Sequence, residues 1–337
     1  MLIFQDVYIH PSLRFLIIII INFTPMRIVS LLPSTTEILA ALGKQDQLVG
    51  RSHECDYPAE ITSLPICTQP KFNPDGASYE IDQRVKALIQ EGLSVYRVSE
   101  DQLLELEPDL IITQDHCEVC AASVDEVKEA VTSRLGSSVE IVSVSPTDLS
   151  SVVDSIRKIA KAVNAEEAAE ELTQRMKSQL LTIQKQIEEL RRPTVFGLEW
   201  MDPLMAAGNW IPELMQLAGG NPLAAKAGRH SPYIDWYNLL QEDPDIITVM
   251  PCGYTIEQTL SEISTLISHQ HWQKLRAVKN HQVFILDGHH YFNRPGPRLV
   301  KSTQILAEVI HPSIFRDENN SNGWINLWRH QFQQSIR

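Results

Sequence analysis

The sequence carries no G-x-x-x-x-G-K phosphate loop, no G-x-S-x-G nucleophile turn, no H-E-x-x-H zinc helix and no G-x-G-x-x-G dinucleotide turn. The commoner kinds of enzyme are disfavoured on that ground. Nowhere do Lys and Arg gather into the basic block that a phosphate backbone requires, and the formal net charge is −13. Nucleic acid is therefore excluded as an expected partner. Cysteines number five, an odd count that cannot pair completely within one chain. Cys117 and Cys120, spaced C-x-x-C, suit a reducing compartment or a reactive site better than a secreted disulfide framework.

Long hydrophobic runs are also scarce. The longest, Phe15 to Phe23, matches the core of a signal peptide in length but is too short to span a bilayer. Its flanks offer only Arg14 against Asp6. Asn22 to Pro25 supplies no small-x-small cleavage pattern, and no Leu-x-x-Cys lipid-attachment site follows. Residues 1–25 are expected to be an extension or a weak signal-like segment, with Met26 as the start of the folded chain. A cytoplasmic location is slightly favoured, with a periplasmic one as the alternative.

What is present is ordinary globular chain: 337 residues, 43% hydrophobic and 21% charged, enough for two domains with their own cores. From Met26 short apolar runs alternate with helical periods, which predicts an α/β fold of two Rossmann-like lobes with parallel sheets. Arg27 to Leu31 reads as a buried strand. Ser34 and Glu37 are spaced as a capping box for the helix that follows, stopped by Gly43. Leu103 to Thr113 and Leu239 to Thr248 share one pattern, helix, Pro-Asp break and buried strand, and each runs on to a cysteine, Cys117 or Cys252. Two lobes of similar build follow, residues 26–146 and 193–312, with residues 313–337 as a C-terminal tail. Between them 147–192 is the longest helical stretch. As one rigid linking helix of some 40 residues it would reach about 60 Å; two helices divided at Asn164 are the alternative.

Ligands of open α/β sheets bind beyond the carboxyl ends of the strands. That rule selects the loops Gly50–Pro58, Gln114–Cys120, Trp200–Pro203, Met250–Tyr254 and Asp287–Pro297. Three readings of their Cys and His residues stay open. His53, Cys55, His116, Cys117 and Cys120 suit a zinc site, although a second paired motif is missing. The C-x-x-C stands between a strand and a helix, as in redox motifs. Thiol and imidazole also suit contact with a metal carried by a ligand, against the bland alternative of buried, inert cysteines. Trp200, Trp210, Tyr233, Trp236, Tyr254, Tyr291 and Phe292 collect in loops of the second half, where flat walls suit a large planar ligand. Arg294, ahead of Pro295-Gly296-Pro297, is placed to hold an amide or carboxylate, or to cap its own loop.

These segments together resemble the cobalamin and iron-siderophore substrate-binding proteins of ABC transporters, the vitamin B12-binding-like branch. The resemblance covers about 26–312 and rests on Ile28 to Glu37, His53 to Pro58, Gln114 to Ala121, Glu199-Trp200, Gly208 to Glu213 and Tyr291 to Leu299. It implies a rigid two-lobe fold that holds a cobalamin-like corrinoid or an iron-siderophore or haem-like chelate, without chemistry and without an intrinsic cofactor. The expected ligand-binding residues are Pro33, Ser34, His53, Cys55, Tyr57, Asp115, His116, Cys117, Cys120, Trp200, Trp210, Tyr233, Tyr254, Tyr291, Phe292 and Arg294. Family members dock on permease arginines through an acidic residue on each lobe; the nearest positions here are Glu100 with Asp101, and Asp235. A monomer serving an ABC permease or intracellular handling is expected. The alternative is a chelatase-like enzyme, in which His53, His116 and the cysteines bind free metal and Glu54 or Asp115 moves protons.

Overall fold

Strand residues of alternating allegiance build both sheets. In β5 (Leu110–Gln114), Leu110 and Ile112 enter one hydrophobic cluster while Ile111 enters another on the opposite face. The same two-residue period sends Phe284 and Leu286 of β11 (Val283–Leu286) one way and Val283 and Ile285 the other. Strands buried on both faces in this manner need helices on each side. The computed structural model supplies them, describing residues 25–91, 93–114, 127–129, 131, 139–315 and 323–329.

The N-terminal sheet is parallel, in the order β2 (Leu48–Arg51), β1 (Ile28–Ser30), β5 and β6 (Glu140–Val144). A small antiparallel ribbon, β3 (Thr68–Pro70) with β4 (Tyr96–Val98), stands beside it. Its helices include α1 (Pro33–Ala41), α2 (Ser78–Gln90) and α3 (Glu100–Leu106). The C-terminal sheet has β7 (Thr194–Trp200), β10 (Ile246–Val249) and β11 in parallel, with β10 central. Short β8 (Met205–Ala206) and β9 (Asn221–Pro222) flank β7, and β12 (Trp324–Asn326) adds an antiparallel edge to β11. The part of 313–337 described at 323–329 is thus a sheet edge and not a loose tail.

The linking stretch is two helices, α4 (Leu149–Ala162) and α5 (Glu166–Gln186), so a single 60 Å rod does not form. Asn164 breaks it in the left-handed region at φ 52°, a conformation Asn adopts at low cost. An ion pair of Arg157 with Glu170 at 3.3 Å closes the corner. A capping box of Asp148 with Ser151 starts α4, which lies on the N-terminal sheet. Helix α5, 21 residues and about 31 Å long, packs on α6 (Ile211–Leu217) and, past the intervening α7 (Trp236–Glu242), α8 (Ile256–Glu262), α9 (Ser264–Ile267) and α10 (Arg276–Lys279), on α11 (Leu299–Ile310). One apolar cluster runs unbroken from Ile28 and Leu39 through Ile156 and Met176 to Val195 and Ile305. The lobes share this core along their linker.

The repeat seen in the sequence is structural. Helices α3 and α7 end on left-handed acidic residues, Glu107 (φ 39°) and Asp243 (φ 36°). The Pro-Asp that follows does the same work in each lobe: Asp109 Oδ2 accepts from Arg27 N at 2.8 Å, and Asp245 Oδ2 from Thr194 N at 3.0 Å. Each carboxylate thereby fixes the start of its lobe's first strand. Burial alone would raise the Asp245 pKa, but the bonds from Thr194 and the Arg276 and Arg191 guanidiniums outweigh it and hold the carboxyl below its ordinary value. A lowered folded-state pKa adds stability above the unfolded value, near 4, that is lost as pH falls through the folded one. Asp245→Asn should therefore cost about 1–3 kcal/mol in urea unfolding at neutral pH. The variant and parent curves should converge below about pH 4; an undiminished gap there would contradict the role given to this carboxylate.

Candidate functional site

The strand ends of both sheets supply loops that meet across the lobes, and Arg294 is the residue that joins them. Its guanidinium comes from the loop between β11 and α11, is only 4% exposed, and reaches carboxylates of the other lobe. Nη1 donates to Glu37 Oε1 at 3.2 Å and to Asp56 Oδ1; Nη2 donates to Asp56 Oδ2 at 3.0 Å. Arg298 adds a fork onto Glu37, with Nε to Oε2 at 2.8 Å. Desolvation works against the charge of Arg294, but the two carboxylates more than offset it and its pKa rises. Asp56 likewise stays far below the usual carboxylate range despite its burial, because His289 and Arg294 bond it.

Glu37 is thus not half of a capping box. Leu32 is the N-cap of α1 without any side-chain bond, and Pro33 at the first turn has no N–H to satisfy. The hydroxyls of Thr35 and Thr36 instead tie the helix start to Ser30 and the Leu32 carbonyl. Ser34 is buried under the Pro-Gly-Pro turn, where a Cβ on Gly296 would lie 3.5 Å from the Ser34 carbonyl.

Several expected residues do reach the rims. Tyr57 is 48% exposed and carries the Arg298 guanidinium 4.4 Å above its ring; half-buried Tyr291 lies 5.6 Å from the same group. Trp200, at the end of β7, donates to the Ser78 carbonyl at 3.2 Å and meets Tyr254 edge-on. Tyr233, also exposed, donates to Asp82 Oδ1 at 3.0 Å beneath Lys86. With the bond from Ser78 N to Glu262 Oε2 at 2.7 Å, these contacts make α2 a second bridge between the lobes. His53 bonds Thr68 at 2.8 Å and Glu54 at 3.4 Å, and the His53 bond holds the Glu54 carboxyl below its ordinary value.

Others belong to the interior. Trp210 donates to the Phe292 carbonyl at 3.0 Å inside the shared core, and Phe292 is completely buried there. Tyr254 is buried with its hydroxyl on Glu262, and burial raises its pKa. A loop position did not expose them: Trp210 is the N-cap of α6 and Phe292 closes the turn Gly288–Phe292, both packed into the shared core, while Tyr254 packs into the C-terminal lobe's own cluster. Cys55 is buried with its thiol 3.1 Å from Thr36 Oγ1, so it lines no cleft and joins no metal group. Asp115, His116, Cys117 and Cys120 lie outside the described residues, as do 1–24. Glu100 and Asp101 occupy the first turn of α3, capped by Ser99. Asp235 is exposed but serves as the N-cap of α7, accepting from Asn238 N at 2.7 Å.

Among the described residues, one group places metal-ligating atoms within 4.8 Å of one another: Asp56, His289 and His290. None of these was among the expected site residues. The adjacent His289-His290 pair directly after a strand end was the available signal, but its partner Asp56 is distant in sequence. Burial pushes the Cys55 thiol up to about 11 and that of Cys67 to about 12. Both should resist iodoacetamide at about pH 8 in the native protein and react after unfolding. Mass-spectrometric detection of native alkylation at Cys55 would contradict its placement.

The geometry has counterparts among known proteins. An ABC transporter substrate-binding lipoprotein of Bacillus subtilis, YvrC, described as uncharacterized, is 26% identical over 87% of this chain and 82% of its own length. The vitamin B12-binding protein of Vibrio cholerae is 24% identical over 86% of this chain and 90% of its own. The solved periplasmic heme-binding protein HutB of Vibrio cholerae superposes with a TM-score of 0.62 at 20% identity, covering 86% of this chain and all of that one. These relatives are periplasmic proteins or lipoproteins, and they lend nothing to a cytoplasmic location. No helix among the described residues is long and apolar enough to cross a membrane. The model of the family described as periplasmic binding protein matches residues 28–289, and the chain belongs to that family.

Proposed function

We propose that the chain captures a cobalamin-like corrinoid, or a haem-like or siderophore iron chelate, between the rims of its two lobes and presents it to an ABC permease. The observation that carries this reading is the stack at the rim, where Tyr57 from one lobe lies under Arg298 from the other, with Tyr291 beside it. Rings and a guanidinium plane give a large flat ligand apolar walls and a fixed donor for its peripheral amides or carboxylates. The bridges at Arg294 and α2 restrict lobe movement, so the walls are held ready before the ligand arrives. Binding of this kind needs no resident cofactor and no reaction, and one two-lobe chain suffices, so a monomer is the working unit.

The family membership supports a binding role over chelation catalysis, and the relatives named as B12- and heme-binding proteins support the ligand class. Their periplasmic or lipoprotein character supports a place of work outside the cytoplasmic membrane. For permease docking, Asp101 on α3 is the better-placed acid, since Asp235 is engaged in capping its helix.

The test is titration of the purified full chain with cyanocobalamin and, separately, with haemin, read by tryptophan fluorescence and thermal midpoint. One of them should saturate at one equivalent and raise the midpoint, with about 2.7 kcal/mol of added stability at a hundredfold excess over Kd. Tyr57→Ala should weaken that affinity about tenfold, a loss of about 1.4 kcal/mol. Failure of every corrinoid and iron chelate to bind, or metal insertion into a free porphyrin, would refute the proposal.

A further inference from the structure

Asp56, His289 and His290 have no role in the aromatic stack, yet they bring three donor atoms together from two lobes. Asp56 comes from the loop after β2, and the two histidines come from the single π-helical turn Gly288–Phe292 after β11. We propose that these three residues form an interlobe site for a free transition-metal dication of borderline softness, such as Zn2+ or Co2+, which clasps one rim to the other. Two imidazole nitrogens and a carboxylate oxygen are a donor set that such ions favour, leaving open positions for water.

His290 is already oriented as a ligand. Its Nδ1 bonds Asp287 Oδ2 at 2.8 Å, and its Nε2 faces Asp56 Oδ2 at 3.7 Å. With the ring proton on Nδ1, where the Asp287 carboxylate accepts it, Nε2 is left to ligate an ion shared with Asp56. Asp287 is fixed in turn, because its Oδ1 accepts from His290 N at 2.9 Å as the cap of the π turn. Metal-bound histidines are commonly held by such an outer carboxylate.

His289 presents a conflict that a cation resolves. Its Nε2 lies 2.7 Å from Asp56 Oδ2 and 2.9 Å from Arg294 Nη2. One ring nitrogen cannot both donate to the carboxylate and accept from the guanidinium. A dication is attracted to the nitrogen lone pair and to the carboxylate oxygen alike. Arg294 opposes the ion by its charge, but its Nη1 keeps Glu37 and Asp56 Oδ1 if Nη2 gives way. The surroundings favour the ion: the carboxylates of Glu37, Glu54 and Asp56 lie about the guanidiniums of Arg294 and Arg298, and that of Asp287 stands behind His290, four negative charges against two. A dication balances that excess.

The inference uses the two-lobe geometry and does not depend on which chelate the cleft takes. The test uses the full chain stripped of metal, titrated with Zn2+ by calorimetry and with Co2+ by visible absorption. One equivalent should bind, with a Co2+ spectrum showing nitrogen donors. His290→Ala and Asp56→Asn should each weaken binding at least tenfold, and Asp287→Asn about ten- to a hundredfold through loss of ring orientation. His290→Gln, with a matching thermal midpoint in the metal-free state, guards against a folding defect. Alanine at both His269 and His271, an imidazole pair 5.3 Å apart elsewhere in the C-terminal lobe, should leave affinity unchanged. No binding at millimolar Zn2+, or an affinity in both His290 variants equal to the parent's, overturns the proposal, as does loss of binding in the His269/His271 variant. Cyanocobalamin titration of the same metal-free protein reads chelate capture independently.

Discussion

A buried guanidinium must have carboxylate partners, and in this chain those of Arg294 sit on the other lobe. Removing a charge from water costs several kcal/mol even after the surroundings relax, so Arg294 cannot stay buried unless Glu37 and Asp56 are within bonding distance. The constraint works in both directions. Glu37 is 2% exposed and would itself be stranded if the lobes swung apart. Arg298, Tyr57 and the His289-His290 turn all take their positions from this ion cluster. A cleft built on it has defined walls, in contrast to two lobes joined by flexible strands alone.

The linker has the complementary task of keeping the two sheets at a fixed spacing. Because α4 and α5 contribute to one continuous core with both sheets, bending at Asn164 does not act as a hinge between independent bodies. The Arg157–Glu170 pair holds that corner, while at the other end of α4 Asp148 caps the helix and Glu213 of α6 accepts from Leu149 N at 2.8 Å. The C-terminal lobe thereby caps the first linking helix of the N-terminal one. Apolar continuity sets the distance between the lobes, while the ion cluster and α2 set their orientation.

Much of the fold was legible because local signals agreed with one another. The alternation of β5 and β11, the Pro-Asp breaks at Asp109 and Asp245, and the glycine stop at Gly43 each have a local cause that the structure repeats. The site was legible only in outline. The strand-end rule selected loops that carry Tyr57, Trp200, Tyr291 and Arg294 to the contact between the lobes, while Tyr233 came from the gathering of loop aromatics. It could not tell a loop aromatic that faces the rim from one that folds back into the core, as Trp210 and Phe292 do. Nor could spacing reveal that Glu37 is an interlobe ion partner, since a Ser three residues ahead of a Glu fits a capping box equally well. That choice is made by Arg294, more than 250 residues away in the chain.

The central claim is that Glu37 and Arg294 act as one unit across the lobes. A double-mutant cycle of Glu37→Gln and Arg294→Met, read by urea unfolding at neutral pH, measures their coupling directly. The account predicts a coupling of about 1–3 kcal/mol, as expected for groups in direct contact in one buried network. Effects that simply add, to within about 0.5 kcal/mol, would show that the two charges do not depend on each other.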